Sequence, residues 1–196
     1  MIKWFSKLNK KVTFSLYLPP YVPKEGIRLK QNHKTTILTN PQDNNQIADG
    51  IFASKAGKYW IKTADCTCVA FVGQTSAGIV HAGWRGLSSG ICQKMKNLFN
   101  EKVDMHVFPF AKRCCYEFGK KQAIKHFGKS YLRKNGNKFY LDMQQILNDQ
   151  LGRNISFNEE CTICSKGFAS RRGNKKGFNW IKMEISDKWT KKQLHL

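Results

Sequence analysis

The sequence predicts an α+β fold of mixed, largely antiparallel β-sheets with flanking helices in a single domain. Three observations carry that reading. Short apolar runs, several with period-two alternation, crowd the chain up to Val80. Helical spacing sets in only from Leu87. The 196 residues, 41% of them hydrophobic, suit one domain with a real core. Strands set close together early, with helices inserted later, favour antiparallel pairs over a regular strand–helix–strand series.

The run Val12 to Leu18 alternates and reads as a strand, broken by Pro19-Pro20 and Pro23. Ile27 to Gln31 is a second strand candidate and delivers His33 just beyond its end. Asn40 to Asn45 is a polar turn cluster, and Asp49-Gly50-Ile51-Phe52-Ala53 leads into another short strand. Tyr59 to Thr63 runs into Asp65-Cys66. Cys68–Val72 and Ala77–Val80 pair as a hairpin across Gly73-Gln74-Thr75-Ser76. Leu87, Ile91, Met95, Leu98 and Phe99 fall at helical spacing, which predicts one helix from Arg85 to Asn100. A strand over Val103 to Phe108 follows, then a short helix from Lys120 to Phe127 stopped by Gly128. Asp142 is the expected N-cap of a helix with Met143, Ile146, Leu147 and Leu151 on one face and Gly152 at its end. Phe178 to Met183 alternates as the last strand, and a polar tail begins at about residue 187.

No run of eighteen apolar residues is present, so no membrane span is expected. The start, Met1 to Lys11, lacks the apolar stretch of a signal peptide, which leads to an expectation of a cytoplasmic protein with reduced thiols. Basic residues number 34 against 13 acidic ones, for a net charge of +21. They are scattered from end to end, which fits compositional drift and a solvated surface. Nucleic acid enters only through non-specific electrostatic attraction, since no recognised nucleic-acid module is visible.

The chemistry concentrates between Thr63 and Gly86, TADCTCVAFVGQTSAGIVHAGWRG. Cys66 and His81 sit at the same edge of two adjacent apolar runs, where a thiol and an imidazole can converge on one metal ion or one scissile bond. The glycines after His81 let a ligand approach the main chain. Residues Ala64-Asp65-Cys66 followed by His81-Ala82-Gly83-Trp84-Arg85-Gly86-Leu87 resemble the signature of the multicopper polyphenol oxidase (laccase-like) domain family. Its bacterial members are also called purine nucleoside phosphorylase family proteins or peptidoglycan editing factors. Gln31-Asn32-His33, Ala48-Asp49-Gly50, Cys115-Tyr116-Glu117, Cys161-Thr162 and Phe168-Ala169-Ser170-Arg171-Arg172 match further family segments in the same order. The resemblance covers residues 27 to 183, within one domain of residues 1–196 with a shortened N-terminal part. The sequence departs from the family pattern at Lys34, Cys68, Phe108-Pro109 and Gly177-Phe178. It also lacks the N-terminal segments that normally help build the substrate pocket.

The resemblance implies a metal site of His33, Cys66 and His81. Two imidazoles and a thiolate suit Zn²⁺ with a fourth position for water, and the same set tolerates copper. A zinc-bound water ionises near pH 7, roughly, as deamination at purine C6 requires. Phosphorolysis instead needs an anion cradle, for which Arg85, Gly86 and Ser88 are the candidates. Cys66, His81 and Asp65 are the candidate catalytic residues, with Asp65 orienting a ligand imidazole or a substrate hydroxyl. Arg171 and Arg172 either line the pocket or belong to the basic surface. The implied function is a metal-dependent purine nucleoside phosphorylase, with adenosine deaminase as a second activity and nucleoside and phosphate as small-molecule partners. The alternatives are a Cys–His thiol hydrolase or amidase acting on peptidoglycan precursors, a copper-dependent polyphenol oxidase, and a degenerate basic homologue that binds nucleic acid without turnover. Cys114-Cys115 with Cys161-x-x-Cys164 is not assigned as a second zinc site, because a lone CxxC is a weak signal and adjacent cysteines make poor paired ligands. His106, His126 and His195 have no partner motif and read as ordinary.

Overall fold

The computed structural model describes residues 1–152 and 154–187, so the predicted polar tail and His195 lie outside the described residues. Among the described residues thirteen strands and four short α-helices follow one another in a mixed α+β arrangement, matching the fold class expected. A six-stranded sheet runs in the order β12 (Ile155–Phe157), β9 (Asp104–Val107), β7 (Thr67–Val72), β8 (Ala77–Ala82), β5 (Gly50–Ala53), β4 (Ile37–Thr39). A five-stranded sheet runs β1 (Ile2–Phe5), β2 (Val12–Tyr17), β13 (Asn179–Ile185), β6 (Gly57–Thr63), β3 (Ile27–Arg28). The hairpin β10 (Leu132–Asn135) and β11 (Lys138–Leu141) stands apart. Pairing is antiparallel except at β4–β5, β9–β12 and β3–β6.

The strands β7 and β8 explain why their sequences are nearly continuous apolar runs. Both are buried along their whole length. On one face Val69, Phe71, Val80 and Ala82 join a cluster with Leu87, Ile91, Met95, Ile146 and Leu147 from the helices. On the other, Cys68, Ala70, Val72, Ala77 and Ile79 pack with Phe14, Leu16, Ile61, Ile181 and Met183 of the second sheet. The six-stranded sheet is therefore the middle of three layers, and a strand with core on both sides cannot alternate polar and apolar residues.

The predicted long helix is two short ones, α1 (Trp84–Ser88) and α2 (Ile91–Lys96). Gly90 lies between them at φ +81°, a left-handed backbone that ends one helix and starts the next. Leu87, Ile91 and Met95 still face the core, whereas Leu98 is exposed. The remaining helices follow their sequence signals. Helix α3 spans Lys120–His126. Helix α4 spans Met143–Leu151, with Asp142 accepting from the Gln145 N–H and Gly152 closing the helix. Among the described residues no helix is long and apolar enough to cross a membrane.

Candidate metal centre

Strand register brings the site together. Cys68 pairs with His81, and Gly50 pairs with Val80. Cys66 just before β7, His81 near the end of β8 and Asp49 just before β5 therefore share one edge of the central sheet. His33 reaches the same edge from the loop before β4, in a left-handed conformation at φ +61°. The ligand atoms of His33, Cys66 and His81 lie within 4.8 Å of one another. The two rings meet edge-on, with centroids 4.7 Å apart. Gly83 passes directly against them. A methyl group there would come within 3.1 Å of His33 Cδ2 and 3.2 Å of Cys66 Sγ, so the position is held to glycine by close approach.

The carboxylate that aims the imidazole is Asp49, not Asp65. Fully buried, Asp49 accepts from His81 Nδ1 at 2.7 Å, which leaves Nε2 free for a ligand. It also accepts the backbone N–H groups of Asn32, His33 and Lys34 at 3.2, 3.0 and 2.9 Å. One side chain thus orients one histidine and fixes the loop carrying the other. Asp65 does different work, with φ at +85°. Its two oxygens accept from Thr162 Oγ1 and the Arg172 N–H, each at 2.9 Å. Its carbonyl takes the Ala111 N–H. The turn bearing Cys66 is thereby tied to two distant segments.

The other sequence candidates separate. Arg172 joins the constellation: its guanidinium lies 4.3 Å from the centre of the buried Tyr116 ring and donates to the Glu117 carbonyl. Arg171 is exposed, and its carbonyl accepts from Asn174. Arg85 is exposed, with its guanidinium 4.4 Å over the Trp84 ring. Gly86 is buried, and a methyl group there would lie 2.9 Å from the Lys34 carbonyl, so its bare Cα serves packing against the His33 loop. The Ser88 hydroxyl donates back to the Arg85 carbonyl. His106 is a buried core residue stacked on Trp4 and bonded to Ser156, and burial pushes its imidazole down to about 4. His126 stands edge-on to Trp84. Sequence reasoning missed the roles of Asp49, Tyr116 and Thr162. All three lie in quoted family segments, but only the fold shows what they touch.

In the metal-free protein the site holds a thiolate–imidazolium pair. Burial pushes Cys66 up, but hydrogen bonds from His33 and His81 outweigh it and bring the thiol from 9.0 to about 6. Burial pushes His81 down, but Asp49 and the Cys66 thiolate outweigh it and raise the imidazole from 6.5 to about 9. Asp49 is held below the usual carboxylate range: burial opposes ionisation, and the His81 and backbone N–H bonds overcome it. Cys66 is therefore protonated below about pH 6 and ionised above it. Subtracting the ultraviolet thiolate titration of metal-free Cys66→Ala from that of the metal-free wild type should isolate a midpoint near 6. A difference titration centred on 9 would show that the pair does not form.

The donor chemistry fits a soft or borderline divalent cation. An ionised thiolate and two imidazoles converge, and one imidazole is oriented by a buried carboxylate. The centre and the three-layer fold define a class: an α+β domain whose central sheet gathers a histidine, a cysteine and a second histidine at one edge. The chain belongs to the multi-copper polyphenol oxidoreductase laccase family, whose model matches residues 16–181. It is 39% identical over 123 residues to a purine nucleoside phosphorylase of Aquifex aeolicus, a match spanning 59% of each chain. It is 30% identical over 170 residues to a purine nucleoside phosphorylase of Clostridium acetobutylicum, covering 75% of this chain and 71% of that one. Its fold is similar to that of the Bacillus licheniformis hypothetical protein YfiH, with a TM-score of 0.73 and 20% identity over 82% of this chain and 74% of that one.

Proposed function

We propose that the protein is a metal-dependent purine nucleoside phosphorylase whose active centre is His33, Cys66 and His81. The observation that carries this reading is the convergence of the three ligand atoms within 4.8 Å. The names of the relatives supply the reaction. A zinc ion bound there would supply a Lewis acid that polarises an oxygen of the substrate. The protein's own groups hold and orient. Asp49 keeps the proton on His81 Nδ1, so Nε2 faces the centre. Gly83 lets the main chain pass directly against His33 and Cys66. Tyr116 remains a neutral phenol, since burial and the nearby Cys66 thiolate push it up to about 12. It can therefore act as a hydrogen-bond donor beside the centre. Arg85, which follows Gly83 and Trp84 in the turn after His81, and Arg172, whose backbone N–H holds Asp65 beside Cys66, are the candidate cations for the phosphate that attacks C1′ of the ribose. Deamination at C6 needs the same centre without phosphate.

A second reading rests on one specific feature. Asp49, His81 and Cys66 form a hydrogen-bonded line of carboxylate, imidazole and thiolate, the arrangement of a Cys–His hydrolase. Metal content decides between the two. Metal-loaded protein given adenosine and phosphate should release adenine and ribose 1-phosphate, and a chelator should stop it. Absence of product from loaded protein overturns the phosphorylase reading. Amide or thioester hydrolysis that survives the chelator establishes the thiol reading in its place.

A further inference from the structure

The fold gathers a second set of metal-ligating side chains away from the sheet edge. Cys114 and Cys115 lie in the turn after β9. Cys161 and Cys164 lie in the turn after β12. Phe110 and Cys161 form a parallel bridge, and the Thr162 N–H donates to the Phe110 carbonyl at 3.1 Å, which locks the two turns side by side. All four sulfurs then fall within 4.8 Å of one another. Cys164 Sγ is 3.6 Å from Cys114 Sγ and 2.8 Å from Cys115 Sγ. A tetrahedral zinc site with Zn–S bonds of about 2.3 Å needs sulfurs spaced about 3.8 Å apart, a small adjustment from this arrangement.

We infer that Cys114, Cys115, Cys161 and Cys164 bind one structural Zn²⁺ that staples these two turns. Four soft thiolates with no oxygen or nitrogen donor select zinc over the harder divalent ions. Four protein ligands close the coordination shell, as in a structural rather than a catalytic site. The objection that adjacent cysteines diverge holds for a strand, where neighbouring side chains point to opposite faces. Here Cys115 and Tyr116 both send their N–H groups to the Lys112 carbonyl, so the segment is a turn and both thiols can face one side. The surroundings suit thiolates as well. The Lys112 N–H donates to Cys161 Sγ at 3.4 Å. The Lys175 ammonium donates to the carbonyls of Thr162, Ile163 and Ser165, placing a positive charge against the CxxC turn and fixing its shape. Cys68 and Cys92 make the contrast. Each is fully buried in a hydrophobic cluster, as expected of packing residues, whereas Cys114 and Cys164 are exposed and have no apolar enclosure to explain them.

The staple has a consequence for the first centre. Tyr116 follows Cys115, and Thr162 follows Cys161. Thr162 holds Asp65, and Tyr116 carries the Arg172 guanidinium on its ring face. The Cys₄ site therefore braces the wall beside Cys66 from behind, without touching His33 or His81.

Metal analysis of protein purified under reducing conditions tests the inference independently of any activity. Wild type should carry two zinc ions per chain. Cys66→Ala should carry one, held by the cluster. Cys114→Ser/Cys164→Ser should carry one, held at the sheet edge. Cobalt-loaded Cys66→Ala gives a readout that leaves the cluster intact: it should show the intense thiolate-to-metal absorption of a four-sulfur tetrahedral site. Metal-free Cys66→Ala, or cobalt bands of an octahedral oxygen-coordinated ion in that variant, would overturn the inference. So would an intact mass showing a disulfide among these four residues in the reduced preparation, or iron in place of zinc in the wild type.

Discussion

Cys66→Ala is expected to lose the metal of the sheet-edge centre and with it turnover, while the fold persists. In the proposed centre the thiolate is one of three ligands, and its removal leaves two imidazoles, too few for a tight site of this kind. If the metal supplies about 4 kcal/mol of transition-state stabilisation, its loss costs about 10³-fold in kcat/KM. The fold should survive because Cys66 belongs to neither hydrophobic cluster and loses only one sulfur atom. Its backbone remains held through Asp65, whose carbonyl and carboxylate bonds do not involve the thiol. Thermal unfolding separates the effects. Zinc at a thousand times its dissociation constant stabilises a folded protein by about 4 kcal/mol. Added zinc should raise the Tm of stripped wild type further than that of stripped Cys66→Ala. Equal shifts would place the metal elsewhere, and a Cys66→Ala protein with full metal-dependent turnover would remove Cys66 from the centre. The same variant speaks to the thiol-hydrolase reading, which predicts loss of activity with unchanged metal content.

Much of the fold and part of the centre were legible in the sequence because periodicity and short-range signals carried them. The hairpin of β7 and β8 was readable from two apolar runs around Gly73-Gln74-Thr75-Ser76, and it fixes Cys66 and His81 at one edge. Helix α4 announced itself through the Asp142 cap and the spacing of its apolar face. Errors arose where local pattern met a tertiary constraint. Leu87 to Phe99 kept helical spacing through Gly90, because both short helices pack on the same face of the central sheet. The strand expected from Ile27 to Gln31 shortens to Ile27–Arg28, since Gln31 uses its side-chain amide to bond the Lys62 backbone. Asp49 and the four clustered cysteines were not assignable for a different reason. Their partners lie far away in the chain: the Asp49 bond to His81 spans 32 residues, and the Cys115–Cys164 contact spans 49. No local period encodes such a meeting. It depends on which loops the strand order places side by side.

Asp49→Ala should be the most destabilising single change at the centre, more than loss of any ligand. The carboxylate is completely buried and ionised, and all its neighbours are arranged as donors. Removing it strands the His81 imidazole and the N–H groups of the His33 loop in a dry environment. Breaking a buried charged pair in this way costs about 3–5 kcal/mol. His33 has a further dependence on Asp49, because its left-handed backbone is held only while those N–H bonds persist. Asp49→Asn isolates the electronic part. It keeps the shape but has one accepting oxygen, so its amide must point a donor at either the imidazole or the loop. That variant should fold and should bind zinc about 10- to 100-fold more weakly, the usual cost of losing a partner behind a ligand histidine. His81 should also titrate below the value of about 9 it has beside the carboxylate. Urea unfolding of Asp49→Ala and a zinc competition assay on Asp49→Asn give the two numbers. Wild-type zinc affinity in Asp49→Asn, together with an unshifted His81 resonance by NMR, would mean that the buried carboxylate serves the loop alone, and that His81 takes its orientation from the strand.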